Sequence, residues 1–104
     1  MGSRQIALSK YTDSGEPASL GSIRVITEML APFNTAPDTD DPSGESGTVF
    51  FHGPGLVIQV PTFSDQIMQA MVTLTDEEFA WPVLMQIRRA TGWTFLDMES
   101  GQKM

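Results

Sequence analysis

The chain has 104 residues, of which 40% are apolar and 18% are charged, and its formal net charge is −7. This length and composition predict a single globular domain over residues 1–104 with one modest core. The negative charge argues against binding to nucleic acid and to anionic membranes, because both need a basic protein surface. The chain contains no cysteine, which excludes disulfides and thiol catalysis and fits a cytoplasmic setting.

The N-terminal third predicts a strand followed by a helix. Residues 4–8 have the composition of a short edge strand, and residues 12–18 that of a turn. Between residues 19 and 33 the β-branched residues favour a strand, but the apolar residues recur at helical spacing. These apolar residues are Ile23, Ile26, Met29, Leu30 and Phe33. We choose a helix that is capped at its start by Ser19 or Ser22.

The segment 34–47 predicts a mobile acidic loop. It has no large apolar residue to bury and contains four acidic residues, at 38, 40, 41 and 45. These acids resemble a calcium-binding loop only superficially, because Pro42 and Ser43 stand where that loop needs Asx and glycine. We therefore expect no metal site in this segment.

Residues 48–60 predict a hairpin. Two apolar runs flank Gly53, Pro54 and Gly55, and proline followed by glycine at the middle of a turn is typical of type II. Apolar residues occupy most of both faces of these strands, so we expect them near the centre of the sheet.

The stretch 69–98 predicts a strand, a helix and a strand. Residues 70–75 alternate with the period of a pleated strand. Thr75 and Glu78 have the spacing of a helix capping box, and Gly92 is placed to end the helix. Pro82 interrupts this helix: either the helix is kinked there, or a short turn at 76–80 leads into a main helix that begins at Pro82. We choose the second interpretation.

The buried face of this helix is predicted from its apolar stripe. That stripe consists of Phe79, Ala80, Val83, Leu84, Ile87 and Ala90. Residues 93–98 form the next predicted strand, with Trp93 in the core. The complete order is strand, helix, strand, strand, strand, helix, strand. It predicts an α+β two-layer sandwich with a mostly antiparallel sheet of about 4–5 strands and both helices on one face, near ferredoxin-like arrangements.

The sequence contains no recognisable catalytic motif. The single histidine, His52, adjoins the hairpin turn without a serine motif at a suitable spacing. The carboxylates at 76–78 are explained by the helix start, and the Gly-Pro-Gly turn lacks the pattern of a phosphate-binding loop. We expect no catalytic residue, no metal and no cofactor.

A protein-interaction surface is the function that the sequence favours. Trp81 and Met85 lie one turn apart on the polar side of the second helix, beside Arg88 and Arg89. This composition is typical of an interface anchor, although Trp81 could instead fold over the sheet edge. We expect a small non-catalytic domain that binds a protein partner, as a homodimer or as an accessory subunit.

Two alternatives stay open. The first is a small-ligand-binding domain or enzyme with a pocket between sheet and helices, in which His52, Gln59, Arg88 and Asp97 supply the polar groups. The second is an accessory subunit whose acidic loop 38–45 meets a basic partner.

Overall fold

An antiparallel sheet and two helices make up residues 4–33, 35–37, 47–63, 65–99 and 101, which this computed structural model describes. The strands are β1 (Arg4–Tyr11), β2 (Pro17–Ala18), β3 (Ala36–Pro37), β4 (Thr48–Gly53), β5 (Leu56–Pro61), β6 (Gln69–Leu74) and β7 (Thr94–Asp97). The helices are α1 (Ile23–Leu30), continued by a 3-10 turn at Ala31–Phe33, and α2 (Glu77–Thr91). The predicted α+β class with an antiparallel sheet is confirmed.

The sheet places β1 between two other strands. The strand order is β2-β1-β6-β5-β4-β3, and β7 pairs with β1 on the side opposite β6. Ile6 of β1 is opposite Val72 on one side and Asp97 on the other, and both pairings are antiparallel. The prediction of an edge strand at residues 4–8 is therefore wrong. Ile6, Ala7 and Leu8 are all buried, as expected for a strand whose neighbours on both sides supply side chains next to each position.

One apolar cluster joins both helices to alternate positions of the strands. The helices contribute Ile26 and Leu30 from α1, and Ala80, Leu84 and Ile87 from α2. The strands contribute Ile6, Leu8, Val49, Phe51, Leu56, Ile58, Val60, Ala70, Val72, Leu74 and Phe95. Because successive side chains of a strand point to opposite faces, the remaining strand positions point away from this cluster.

Helix α1 begins where its capping residue predicts. The Ser22 hydroxyl accepts a hydrogen bond from the backbone N–H of Val25 at 3.3 Å. Ile26 and Leu30 are buried, and the other three members of the predicted stripe pack against the core cluster. The choice of a helix over a strand in this segment is confirmed.

The β4–β5 hairpin also forms as predicted. Gly53 pairs with Leu56, which leaves Pro54 and Gly55 as the two turn residues. Gly55 has a φ of +70°, which the third position of a type II turn requires and which glycine adopts without strain.

Helix α2 runs through Pro82 without a break, so the prediction of a main helix beginning at Pro82 is wrong. Asp76, not Thr75, caps the helix, because its carboxylate accepts a hydrogen bond from the N–H of Glu78 at 3.1 Å. Gly92 ends the helix in the left-handed conformation, as predicted. Phe79 is 62% exposed, so the buried stripe is narrower than predicted.

The predicted loop 34–47 is structured in the part that the structure describes. Ala36–Pro37 pair with His52 and Phe51 of β4, and Thr35 is fully buried. The sequence pattern missed this strand because two residues are too few to show a period. Residue 34 and residues 38–46, which include the acidic run, lie outside the described residues. Among the described residues, no helix has the length and apolarity that crossing a membrane would require.

Candidate functional site

The strand positions that point away from the core cluster form a surface that we call the outer face. It consists of Gln5, Ala7, Ser9 and Tyr11 of β1, Thr48, Phe50 and His52 of β4, Val57, Gln59 and Pro61 of β5, Gln69, Met71 and Thr73 of β6, and Thr94 and Leu96 of β7. None of these residues is an aspartate, glutamate, lysine or arginine. An open sheet face normally alternates polar, often charged, residues against solvent, so the lack of charge sets this face apart.

The strand register places three of the larger apolar residues of the outer face, Leu96, Met71 and Phe50, in one row. Leu96 is opposite Ala7, Ala7 is opposite Met71, Met71 is opposite Gln59, and Gln59 is opposite Phe50. Paired positions on one face are close enough for their side chains to touch. Ala7 is only 1% exposed although it points away from the core cluster. We attribute this burial to the longer side chains of Met71 and Leu96 on either side.

A groove of about 400 Å³ opens on the outer face and is lined by Gln5, Gln59, Pro61, Gln69, Ala70 and Met71. A smaller groove of about 200 Å³ adjoins it at Gln69 and extends to Tyr11 and Met68. Lys10 lies at the rim of the smaller groove, so the charge-free surface ends there. The glutamine amides can each donate and accept hydrogen bonds. The groove therefore suits uncharged polar groups that approach together with apolar ones.

The described acidic residues lie apart from this surface. Asp13, Glu16, Glu28, Asp65, Asp76, Glu77, Glu78 and Glu99 occupy turns, helices or strand ends. Asp97 is in β7, on the core side and 2% exposed. The acidic side chains of the described residues therefore lie outside the outer face.

The predicted interface on α2 is only partly exposed. Trp81 packs against the core cluster, and the guanidinium carbon of Arg4 lies 5.6 Å from the centre of its ring, within cation–π range. Met85 is 42% exposed, and Arg88 and Arg89 are exposed without an ion-pair partner among the residues that the structure describes. This helix face stays a predicted interface, but its largest side chain already has partners within the chain.

The predicted ligand-binding residues are divided between the two sides of the sheet. His52 and Gln59 lie on the outer face, and Gln59 lines the larger groove. Asp97 lies on the core side, and Arg88 is on α2. The structure therefore brings two of these residues onto one surface but separates Asp97 from them.

Asp97 is engaged in a structural contact at the start of the chain. One carboxylate oxygen accepts hydrogen bonds from Nε of Arg4 at 2.9 Å and from its Nη2. The other oxygen accepts from the backbone N–H of Glu99 at 3.0 Å. Hydrogen bonds to Asp97 and then to Glu77 raise the pKa of Arg4, so this guanidinium keeps its charge. These contacts join β1, β7 and the first turn of α2.

The described residues hold no cluster of three or more histidine, aspartate or glutamate side chains that could bind a metal ion. The residue opposite His52 on β5 is Val57, which has an apolar side chain. The acidic segment 38–45 lies outside the described residues, so the proposed contact of that segment with a basic partner stays a prediction.

The outer face is the feature that sequence reasoning missed. The signal was present, because positions 5, 7, 9 and 11 of β1 alternate without a charge. To recognise the outer face, one must know which strand positions point toward the helices. Only the packing of the helices in the folded chain gives that information. The apolar residues on both faces of the β4–β5 hairpin indicate a central position in the sheet but do not show which face stays open.

Comparison with protein-family models, with curated proteins and with solved structures finds no match to this chain. The chemistry and geometry of the outer face therefore carry the functional inference.

Proposed function

We propose that this chain is a small non-catalytic domain that works by binding protein, and that the outer face is its binding surface. The observation that carries the proposal is the absence of charged side chains from this face in a chain whose net charge is −7. The cores of protein interfaces are depleted of lysine, glutamate and aspartate and enriched in aromatic residues and methionine. Phe50, Met71 and Tyr11 supply those residue types here.

The apolar side chains of the outer face provide the driving force for binding. Phe50 is 42% exposed, and Val57, Met71 and Leu96 are partly exposed. Burial of apolar surface contributes roughly 25 cal/mol per Å² before the entropic cost of association. Contiguous apolar surface that stays in contact with water is unfavourable for a monomer and commonly marks an interaction site.

The exposed side of α2 is a second candidate surface. Met85, Arg88 and Arg89 are exposed there, and the two arginines have no acidic partner in the described part of the chain. An acidic partner would complement them. This surface carries charged side chains, which the cores of protein interfaces mostly lack, so we propose it as the weaker of the two.

The alternative of a small-ligand site finds support only in the glutamine-lined groove. That groove is open and lies on the outer face, on the opposite side of the sheet from the predicted pocket between sheet and helices. A neutral polar ligand is the class that its three amides would suit. The cytoplasmic setting stays a prediction from composition.

For the fold, we propose a two-layer sandwich with both helices on one side of the sheet, related to ferredoxin-like arrangements. The shared apolar cluster of α1, α2 and alternate strand positions supports the two layers. The order β6, α2, β7, with β1 between the two strands, supports the relation, because ferredoxin-like folds contain split β-α-β units of this kind. The additional strand of the β4-β5-β6 meander distinguishes this chain from ferredoxin-like folds.

The proposed function can be tested by affinity purification from an extract of the cells that produce the chain. The full chain, Phe50→Lys on the outer face and Phe79→Lys on α2 are compared, since both phenylalanines are exposed and both substitutions change the charge equally. Thermal unfolding of each variant establishes that it is folded. The proposal predicts that Phe50→Lys loses a bound protein that the wild type and Phe79→Lys retain.

If Phe50→Lys and Phe79→Lys recover the same amount of the bound protein, the outer face is not the binding surface. Loss with Phe79→Lys alone would transfer the function to the surface of α2. The recovered protein includes, as one possible partner, an untagged copy of this chain, which is detected by its mass.

A further inference from the structure

We propose that the partner of the outer face is a second copy of this chain, docked face to face about a two-fold axis. This inference rests on the proposed function and specifies the partner. It follows from the charge, the hydrogen-bonding chemistry and the size of the face.

Charge restricts where two copies can meet. Each copy has a net charge of −7, and like charges placed opposite each other disfavour association. The outer face contains no charged side chain, so its residues bring no like charges into direct contact when two copies meet there. The exposed acids of the described residues lie on turns, helices and strand ends, where they remain in water, and Asp97 is buried on the core side.

The polar side chains of the outer face can pair with their own copies. In a two-fold interface the same surface occurs on both sides, so the face must be complementary to itself. Gln5, Gln59 and Gln69 line its groove, and each amide both donates and accepts hydrogen bonds. The hydroxyls of Ser9 and Thr73 have the same property. A second copy can therefore satisfy these amides and hydroxyls when docking removes them from water.

The footprint of the face is close to what a specific dimer needs. Strands lie about 4.8 Å apart and rise about 3.4 Å per residue, so β4, β5, β6 and the matching part of β1 with six residues each, and β7 with four, cover about 460 Å². Two such faces give about 900 Å² before the relief of the side chains adds to it, which is near the lower limit of about 1,000 Å² for a specific interface. Two sheets that pack in this way lie about 10 Å apart with interdigitating side chains.

The outer face offers side chains, because the backbone groups of β1, β5 and β6 already pair within the sheet. An added peptide strand would need the unpaired backbone of a sheet edge. The occupant must therefore present a surface of its own, and the second copy supplies one with matching chemistry.

The experiment is the mass in solution of the full chain, measured by light scattering and by sedimentation from about 5 µM to about 1 mM, the range expected for a small interface. Wild type is compared with Phe50→Lys, Gln59→Lys and Phe79→Lys. We expect the wild-type mass to rise from one chain to two. Each substitution on the outer face acts twice in a two-fold dimer, so we expect Phe50→Lys and Gln59→Lys to raise the dissociation constant at least about 10-fold. Phe79→Lys should change it less than about 2-fold.

Gln59 is already exposed, so Gln59→Lys tests the face even where Phe50→Lys perturbs folding. A wild-type mass of one chain at every concentration would overturn the inference. A dimer that Phe79→Lys splits and the outer-face variants leave intact would overturn it as well. If the chain stays monomeric but Phe50→Lys still loses a different bound protein, the proposed function stands and only the second copy is excluded.

Discussion

Gly55 connects the β4–β5 turn to the start of α2. Its carbonyl oxygen accepts hydrogen bonds from the N–H groups of Thr75 at 2.8 Å and Asp76 at 3.0 Å. A side chain at this position would place its Cβ 2.3 Å from the carbonyl oxygen of Asp76. The turn therefore needs glycine both for its backbone conformation and for its close approach to the helix.

We predict that Gly55→Ala lowers the free energy of unfolding by about 1 kcal/mol or more beyond the effect of Gly92→Ala. The two glycines have φ values of +70° and +72°, so both substitutions introduce the same unfavourable backbone conformation. Only Gly55 has a backbone atom in the way, since nothing lies within 4 Å of the Cβ built at Gly92. Urea unfolding measures both variants, and equal losses would contradict the close contact.

Arg4 provides the positive charge next to the buried Asp97. We predict that Arg4→Met lowers the thermal midpoint much more than Arg24→Met does. Arg24 meets Glu28 at 3.6 Å in an exposed pair of the kind that contributes little. Removal of Arg4 instead takes the positive charge away from a buried carboxylate.

The double variant Arg4→Met with Asp97→Asn should recover part of this loss, because the uncompensated charge is gone. Additive effects of the two substitutions would contradict the coupling. Because the pKa of Arg4 is raised in the folded chain, the contribution of this residue to the stability is present at every pH below the ordinary pKa of arginine. It is lost only as the pH rises through the raised pKa, so the stability between pH 5 and 9 should not vary through this group.

At the scale of the element, Pro82 is the feature that α2 tolerates at a cost. A proline inside a helix has no N–H to donate to the carbonyl four residues earlier, here that of Glu78. Glu78 and Pro82 are both exposed, so water can satisfy that carbonyl. The apolar stripe continues in phase on both sides of Pro82, since Ala80 and Leu84 are both buried.

We predict that Pro82→Ala raises the free energy of unfolding by about 1–2 kcal/mol. Alanine restores the missing hydrogen bond and has a higher helix propensity. Part of this gain is offset because the unfolded chain has more conformational entropy without proline. Urea unfolding followed by tryptophan fluorescence, to which Trp81 and Trp93 both contribute, reports the stability. A loss of stability would show that the helix needs the geometry that Pro82 imposes.

Elements with local signals were predictable from the sequence. The Ser22 cap, the Pro54–Gly55 turn and the Gly92 helix end each depend on residues that are close in the chain. Contacts between distant residues were not predictable. Arg4 and Asp97 are 93 positions apart, and the period of β1 cannot say that β6 and β7 lie on its two sides. The predicted capping residue of α2 is one position off because Thr75 and Asp76 are both good capping residues. The predicted start of the helix is placed too late, at Pro82, because proline favours the first position of a helix.

At the scale of the molecule, one apolar cluster takes residues of both helices and one set of alternate strand positions, and the other set forms the uncharged outer face. This arrangement explains why the candidate site could not be predicted. The alternation of β1, β5 and β6 gives two faces, but only the packing of α1 and α2 identifies which face they cover. The predicted site on α2 depended on Trp81, whose ring turns out to lie between the core cluster and Arg4.

Met71 and Met85 are natural reporters of the two candidate surfaces, because Met71 lies in the row of the outer face and Met85 is exposed on α2. The most direct test labels the methionine methyl groups with ¹³C and follows their NMR signals as the concentration of the wild-type chain rises. Met71→Leu and Met85→Leu assign the two signals. The outer-face dimer predicts that the Met71 signal shifts with concentration while the Met85 signal stays in place. A shift of Met85 without Met71, or no shift of either signal, would contradict it.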